Sequence, residues 1–252
     1  MTVIAVLAEP PRPGLVLSEL AETSPLSEAE AADLYAAMLK DVCIAVERSG
    51  GDLLVNYRAE DELPDEFAGD HDSEAEIRSV VADALGGTDN ARFEPQVGST
   101  FSARAGNTVS HLLNEEEEVH SAAVVRPIAP LLGRTHLDSA AMKLRSTPVV
   151  LGPSTEGRVY FSGFLDPIDF TDAYAEPEVE TLARRADDAG HGLDYVPMLP
   201  VLETGADLAT VVPMLRSRVE SERLVPEHTT TFVFEEGLRV ESTDGVLELV
   251  RD

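Results

Sequence analysis

Hydrophobic positions along this chain form two kinds of run, short continuous ones and longer ones with helical spacing, and the two alternate. Residues 3–7, VIAVL, are continuously apolar and suit a central strand buried on both faces. Pro10, Pro11, Pro13 and Gly14 then force a loop that feeds a helix by about Leu20. Ser27 opens a longer helix, because S-E-A-E is a capping box in which Glu30 reaches back. Leu34, Met38, Val42, Ala45 and Val46 line one face of it, Tyr35, Leu39 and Cys43 lie beside them, and Gly50-Gly51 stops it. The same alternation predicts strands at 52–57, 91–95, 121–128, 148–152, 159–165 and 194–199. It predicts helices at 73–85, 99–113, 135–144, 176–189 and 204–218, the last capped by Thr204 with Asp207 at the reciprocal position.

Strand and helix in alternation imply an α/β fold with a largely parallel sheet. The tail reads differently. Residues 230–234, 238–242 and 246–250 have short-strand patterns, with hairpin turns at Glu236-Gly237 and Asp244-Gly245. The expected organisation is an α/β domain over 1–220 and a C-terminal β-meander over 221–252. The meander either extends the sheet, forms an appendage or builds a contact with a second copy of the chain, so a homo-oligomer is among the expected assemblies.

Charge narrows the functional classes. The net charge is -28, from 47 acidic and 19 basic residues, and Lys40 and Lys143 are the only lysines. This balance suits a cell that keeps molar salt inside, where the Debye length is only ~3 Å and self-repulsion is screened. It argues against nucleic-acid or anionic-membrane partners, since no basic patch is available. No apolar run approaches the ~18 residues that span a bilayer. The first residues lack the basic-then-apolar pattern of a secretion signal, so the expected location is a high-salt cytoplasm. Cys43 is the single cysteine and reads as a small core residue. The six histidines show no H-x-H or H-E-x-x-H spacing, and there is no Walker loop, G-x-G-x-x-G or G-x-S-x-G.

Four stretches carry a family signal: PPRPGLVLSEL with the following PLSEAEAADLYAAML, QVGSTFSAR, VVLGPSTEGRVYFSGF and LPVLETGADL. In this order and spacing the chain resembles a group of nucleotide-diphospho-sugar-transferase-like proteins with the glycosyltransferase-A fold. These are distantly related to the guanylyltransferases that act on molybdenum cofactor and on phospholactate. The resemblance spans about residues 2–218 and leaves the C-terminal strands outside.

The resemblance implies a Rossmann-like sheet, mixed but mostly parallel and flanked by helices, with a nucleotide or nucleotide-sugar lying over the carboxyl ends of its first strands. The family loop runs K-x-P-x-P-G-x-x-K-T-R-L, and this chain keeps Pro11, Pro13 and Gly14, with Ser18 in the threonine position. Its three basic positions hold Glu9, Leu17 and Glu19, leaving Arg12 as the loop's cation. A pair of unit charges ~4 Å apart is worth about 1 kcal/mol in water and about 4 at intermediate dielectric, so the exchange disfavours a diphosphate by several kcal/mol. The family's G-x-D-x-P supplies an Asp for a divalent metal, and R-P-I-A-P stands here, with Ile128 at the Asp position and Arg126 at the glycine. Magnesium or manganese is therefore only weakly supported. Arg126 either neutralises phosphate without metal or is a strand-end arginine.

Gln96, Gly98 and Arg104 match a Q-x-G-x-x-x-x-x-R pattern that lies beside the nucleotide in the family, and Arg104 either meets a phosphate or forms a helix-surface ion pair. G-P-x-x-D-G-G-Y is represented by Gly152, Pro153, Glu156, Gly157 and Tyr160, where Glu156 keeps the carboxylate that orients an acceptor hydroxyl. D-V-D-T is reduced to Val201, Leu202, Glu203 and Thr204, where Glu203 is either a surviving metal ligand or a residue beside a helix cap. Two functions follow: a glycosyl- or nucleotidyl-transferase with Glu156 and Glu203 on the acceptor side, or a binding or structural homologue that has lost its chemistry.

Overall fold

The computed structural model describes residues 1–243 and 246–251. Strand β1 (Thr2–Ala8) is an interior strand of the sheet and pairs in parallel with β2 (Asp52–Tyr57) on one side and β4 (Ser121–Val125) on the other. Ile4, Val6 and Ala8 enter one core and Val3, Ala5 and Leu7 the other, so the continuous apolar run is a strand covered on both faces. The sheet is completed by β3 (Arg92–Pro95), β5 (Val149–Pro153), β6 (Val159–Phe164) and β7 (Leu193–Tyr195), in the order β3-β2-β1-β4-β6-β5-β7. Strand β6 alone runs antiparallel, because the short connection from Pro153 to Val159 permits only a hairpin.

The helices are α1 (Ser18–Thr23), α2 (Glu28–Glu47), α3 (Ser73–Leu85), α4 (Phe101–Glu115), α5 (Arg134–Lys143), α6 (Glu178–Asp188), α7 (Gly205–Glu220) and α8 (Glu227–Glu235). Apolar faces of α2, α3, α5, α7 and α8 share a core with Ile4 and Val6, while α4 and α6 close the opposite face. The capping boxes at Ser27 with Glu30 and at Thr204 with Asp207 are both formed. No helix among the described residues is long and apolar enough to cross a membrane.

The tail differs from its expected three-strand meander. Strands β8 (Leu238–Thr243) and β9 (Val246–Arg251) form an antiparallel hairpin, but the segment expected as a strand at 230–234 lies within α8. Tertiary contact overrides local pattern there. Asp41 of α2 accepts hydrogen bonds from the backbone of His228 and Thr229 and from the Thr229 hydroxyl, capping the helix from outside its own sequence. Glu236-Gly237 consequently joins α8 to β8, with Gly237 at φ 61°, and the Asp244-Gly245 turn lies outside the described residues. Strand β4 also stops at Val125, short of the expected 128, because Pro127 has no N–H to continue the ladder.

Candidate functional site

A cleft of about 510 Å³ opens at the carboxyl ends of β1 and β4, where open α/β sheets bind ligands. Glu9 follows β1, Gln96 follows β3, Arg126 to Ile128 follow β4, and Phe101, Ser102 and Arg104 come from the first turn of α4. A second hollow of about 400 Å³ adjoins it and holds Ser18, Glu19, Glu156, Arg158 and Thr204. Leu17, Arg126, Glu178 and Glu203 line both, so the two are lobes of one depression divided at Arg126.

The Pro/Gly loop is built but its cation is turned away. Arg12 bonds Glu60 and Glu76 through its guanidinium and donates 2.5 Å to the carbonyl of Phe67, which latches the loop to the acidic 60–72 segment. Its hydrogen bond holds the Glu60 carboxyl down at about 2. Arg12 therefore lines neither lobe, contrary to its expected place as the loop's remaining cation. Gly14 lines neither lobe; its φ of 78° turns the chain, and a Cβ there would meet the Phe67 ring at 3.3 Å. Ser18 and Glu19 face the second lobe and Glu9 the first, so both acidic replacements border the depression.

Backbone strain concentrates around it. Among the described residues, Leu17, Glu156, Asp172 and Glu222 are the non-glycine residues with left-handed φ, and the first three line one lobe or the other. Such conformations cost on the order of 1 kcal/mol or more each and persist where surroundings impose them.

Gln96 and Arg104 both line the first lobe. The Gln96 amide donates to the carbonyls of Ala8 (3.0 Å) and Asn56 (2.7 Å), tying the ends of β1 and β2 together. Its Oε1 is buried without a partner, as is Nε of Arg104, although the two residues are only 4% and 9% exposed. Gly98 lets this loop lie against α4, since a Cβ would stand 2.8 Å from that of Ala103 and 3.0 Å from the Arg104 nitrogen. Arg104 reaches Glu9 at 3.4 Å and Arg58 reaches the other Glu9 oxygen at 3.3 Å. Burial pushes the Glu9 carboxyl up against the pull of both arginines, and burial pushes Arg104 down. Tyr35, read from sequence as a core residue, accepts the Glu9 N–H at 2.9 Å and lines the cleft.

The wall between the lobes is an ion-pair ladder. Arg126 contacts Glu178 at 3.3 Å and Glu203 at 2.5 Å and lies over the Phe101 ring. Arg158 contacts the second Glu203 oxygen at 3.3 Å and grips Asp207 with both terminal nitrogens, at 2.8 and 2.6 Å. Glu178 also accepts the Val159 N–H at 2.7 Å, and burial raises its carboxyl above the usual range. Glu156 stands at the rim, its side chain 80% exposed and 3.6 Å from Arg158. Sequence reasoning missed Arg58, Tyr35 and Glu178. Arg58 follows directly on the DLLVNY strand, a position from which a side chain reaches the ligand edge of a parallel sheet.

These residues do not fit magnesium or manganese. Ile128 is 5% exposed on the cleft wall and offers no oxygen, and both Glu203 oxygens are spent on guanidinium groups. No group of three His, Cys, Asp or Glu among the described residues converges as a hard cation requires.

The fold is that of the nucleotide-diphospho-sugar transferases. A protein of Desulfovibrio desulfuricans G20 with the provisional name nucleotide-diphospho-sugar transferase superposes with a TM-score of 0.75 at 19% identity, over 93% of this chain and 94% of that one. A cytidylyltransferase from Leptospira borgpetersenii serovar Hardjo-bovis gives a TM-score of 0.51 at 8% identity, over 93% and 94%. A 4-diphosphocytidyl-2C-methyl-D-erythritol synthase gives 0.51 at 11% identity, over 83% and 95%. No protein-family model and no curated protein sequence matches the chain.

Proposed function

We propose that this chain binds a nucleoside-bearing ligand in the larger lobe and has given up metal-dependent transfer. The observation that carries this is the pairing of every guanidinium in the depression: Arg104 with Glu9, Arg126 with Glu178 and Glu203, and Arg158 with Glu203 and Asp207. A wall of compensated charge suits an uncharged base and sugar better than a metal-bound polyphosphate, whose phosphates would have to break the short Arg126–Glu203 and Arg158–Asp207 pairs. The unpartnered Gln96 Oε1 beneath the cleft is an acceptor for a base amino or imino group once the floor relaxes. The cleft lies at the carboxyl ends of the strands, where open α/β sheets bind ligands, and the transferase-like fold supports the reading by analogy.

The test is thermal unfolding of the full chain in molar potassium chloride, which screens its net charge of -28. Nucleosides, nucleotides and sugar nucleotides are each titrated with and without manganese. A ligand at a hundred times its Kd stabilises by about 2.7 kcal/mol. The expected result is stabilisation by a nucleoside, independent of metal; no shift with any nucleoside or nucleotide at millimolar concentration overturns the reading.

A second reading is favoured by the division of the depression at Arg126. Donor and acceptor would occupy the two lobes, Arg126 would stabilise the leaving phosphate without metal, and Glu156 would orient the acceptor hydroxyl from the rim. Metal-independent release of nucleoside diphosphate from a sugar nucleotide, lowered by Glu156→Gln, distinguishes it from binding alone.

A further inference from the structure

We propose that Arg58 and Arg104 form an oxyanion site that the chain fills with its own Glu9, and that a phosphate-type ligand enters by displacing that side chain. Two guanidiniums from separate elements, one after β2 and one in α4, converge on opposite oxygens of one carboxylate at the ligand edge of the sheet. Arg58 is fixed for this by donating its Nε to the Glu62 carbonyl at 2.9 Å.

The resident carboxylate is a poor fit. Its two contacts are single and long, 3.3 and 3.4 Å, where well-made charge-assisted bonds are about 2.7–2.9 Å. Arg104 keeps a buried Nε with no partner, so one donor of its fork is unspent. A carboxylate has two oxygens and has used both. A tetrahedral oxyanion with three or four can meet the same two guanidiniums and the idle Nε together. Glu9 is only partly covered, and its burial disfavours its charge, so moving out to water returns hydration that it has lost.

This accounts for an acidic residue where the resembling loop carries a lysine. Glu9 need not abolish the anion site; it competes for it, weakening phosphate affinity while leaving the arginines in place. The inference goes beyond the nucleoside reading and does not depend on it, because the anion alone is the probe.

The experiment titrates inorganic pyrophosphate into the full-length wild type, Glu9→Gln, Glu9→Ala and Glu9→Gln/Arg104→Gln by calorimetry in one potassium chloride buffer. Removing the competitor is expected to tighten pyrophosphate binding at least tenfold in both single variants, and removing Arg104 is expected to abolish that gain. Equal affinity in wild type and both single variants, including none in any, overturns the proposal. If the bare arginines destabilise a single variant, its melting temperature is expected to rise with pyrophosphate by more than that of wild type. A destabilised variant that pyrophosphate leaves unchanged also overturns it. Failure of the nucleoside reading appears separately, as no nucleoside shift in wild type beside an intact pyrophosphate gain in Glu9→Gln.

Discussion

Arg126 Nη2 lies 2.5 Å from Oε1 of Glu203, the position where the resembling family carries a metal-binding carboxylate. Arg158 Nη1 takes the other oxygen at 3.3 Å, so Glu203 serves as the shared anion of a two-arginine ladder. Each partner is partly covered, which makes these contacts worth more than exposed surface pairs.

Manganese at millimolar concentration is expected to leave the unfolding temperature of the wild type unchanged. Arg126→Gly with Ile128→Asp frees one Glu203 oxygen and adds a second carboxylate on the cleft wall. That double variant is expected to gain about 1.4 kcal/mol at ten times its Kd for the metal. A manganese shift in wild type counts against the ladder as a barrier to the metal.

Much of this was legible in the sequence, and the exceptions share a cause. The run VIAVL announced a strand covered on both faces, and the S-E-A-E and T-G-A-D caps announced two helix starts, because those signals are local. Helix α8 was not legible: TTFVF alternates like a strand, and what makes it helical is Asp41, 188 residues from Thr229 in sequence. At the site, residue types at Glu9, Leu17, Glu19 and Ile128 announced altered electrostatics. Arg12 failed as a cleft cation because its partners come from two other elements, Glu60 from the loop after β2 and Glu76 from the first turn of α3. Which arginine answers which carboxylate is a tertiary fact that spacing does not encode.

The Arg12 latch makes stability depend on acid in a defined window. The folded Glu60 carboxyl sits at about 2, below its unfolded value. A group with a depressed folded pKa stabilises fully above its unfolded pKa, near ~4.3, and loses that contribution as pH falls through the folded value. Stability is thus expected to drop between roughly pH 4.3 and 2 by more in wild type than in Arg12→Gln. Urea midpoints measured across this window check it, and parallel curves for the two proteins contradict the latch.

Asp41 holds α8 through three hydrogen bonds, to the N–H of His228 and Thr229 and to the Thr229 hydroxyl. Asp41→Ala leaves those donors unpartnered at a buried helix start and is expected to cost about 2–3 kcal/mol. Asp41→Asn keeps the side-chain shape and one acceptor oxygen, which serves both Thr229 donors when it takes the Oδ2 place, and is expected to retain more than half of the stability that alanine loses. Equal losses in the two variants would place the effect in packing rather than in the cap.

Gly98 sets how closely the Gln96 loop approaches α4. Its φ of 132° is a conformation that side chains rarely adopt, and a Cβ there stands 2.8 Å from Ala103 Cβ and 3.0 Å from the Arg104 nitrogen. The second neighbour is helix backbone and cannot swing aside. Gly98→Ala is therefore expected to destabilise by about 2–3 kcal/mol, strain and contact combined. It is also expected to displace the first turn of α4, and with it the Arg104 guanidinium, so any pyrophosphate gain from Glu9→Gln shrinks in the Gly98→Ala background. Adding Ala103→Gly removes the Cβ–Cβ contact and leaves the backbone contact and the φ strain. Partial rescue is expected, with a coupling energy of about 0.5–3 kcal/mol in a double-mutant cycle read by urea unfolding. Strict additivity of the two substitutions would show that the loop moves away freely, and that Gly98 does not hold Arg104 against the cleft.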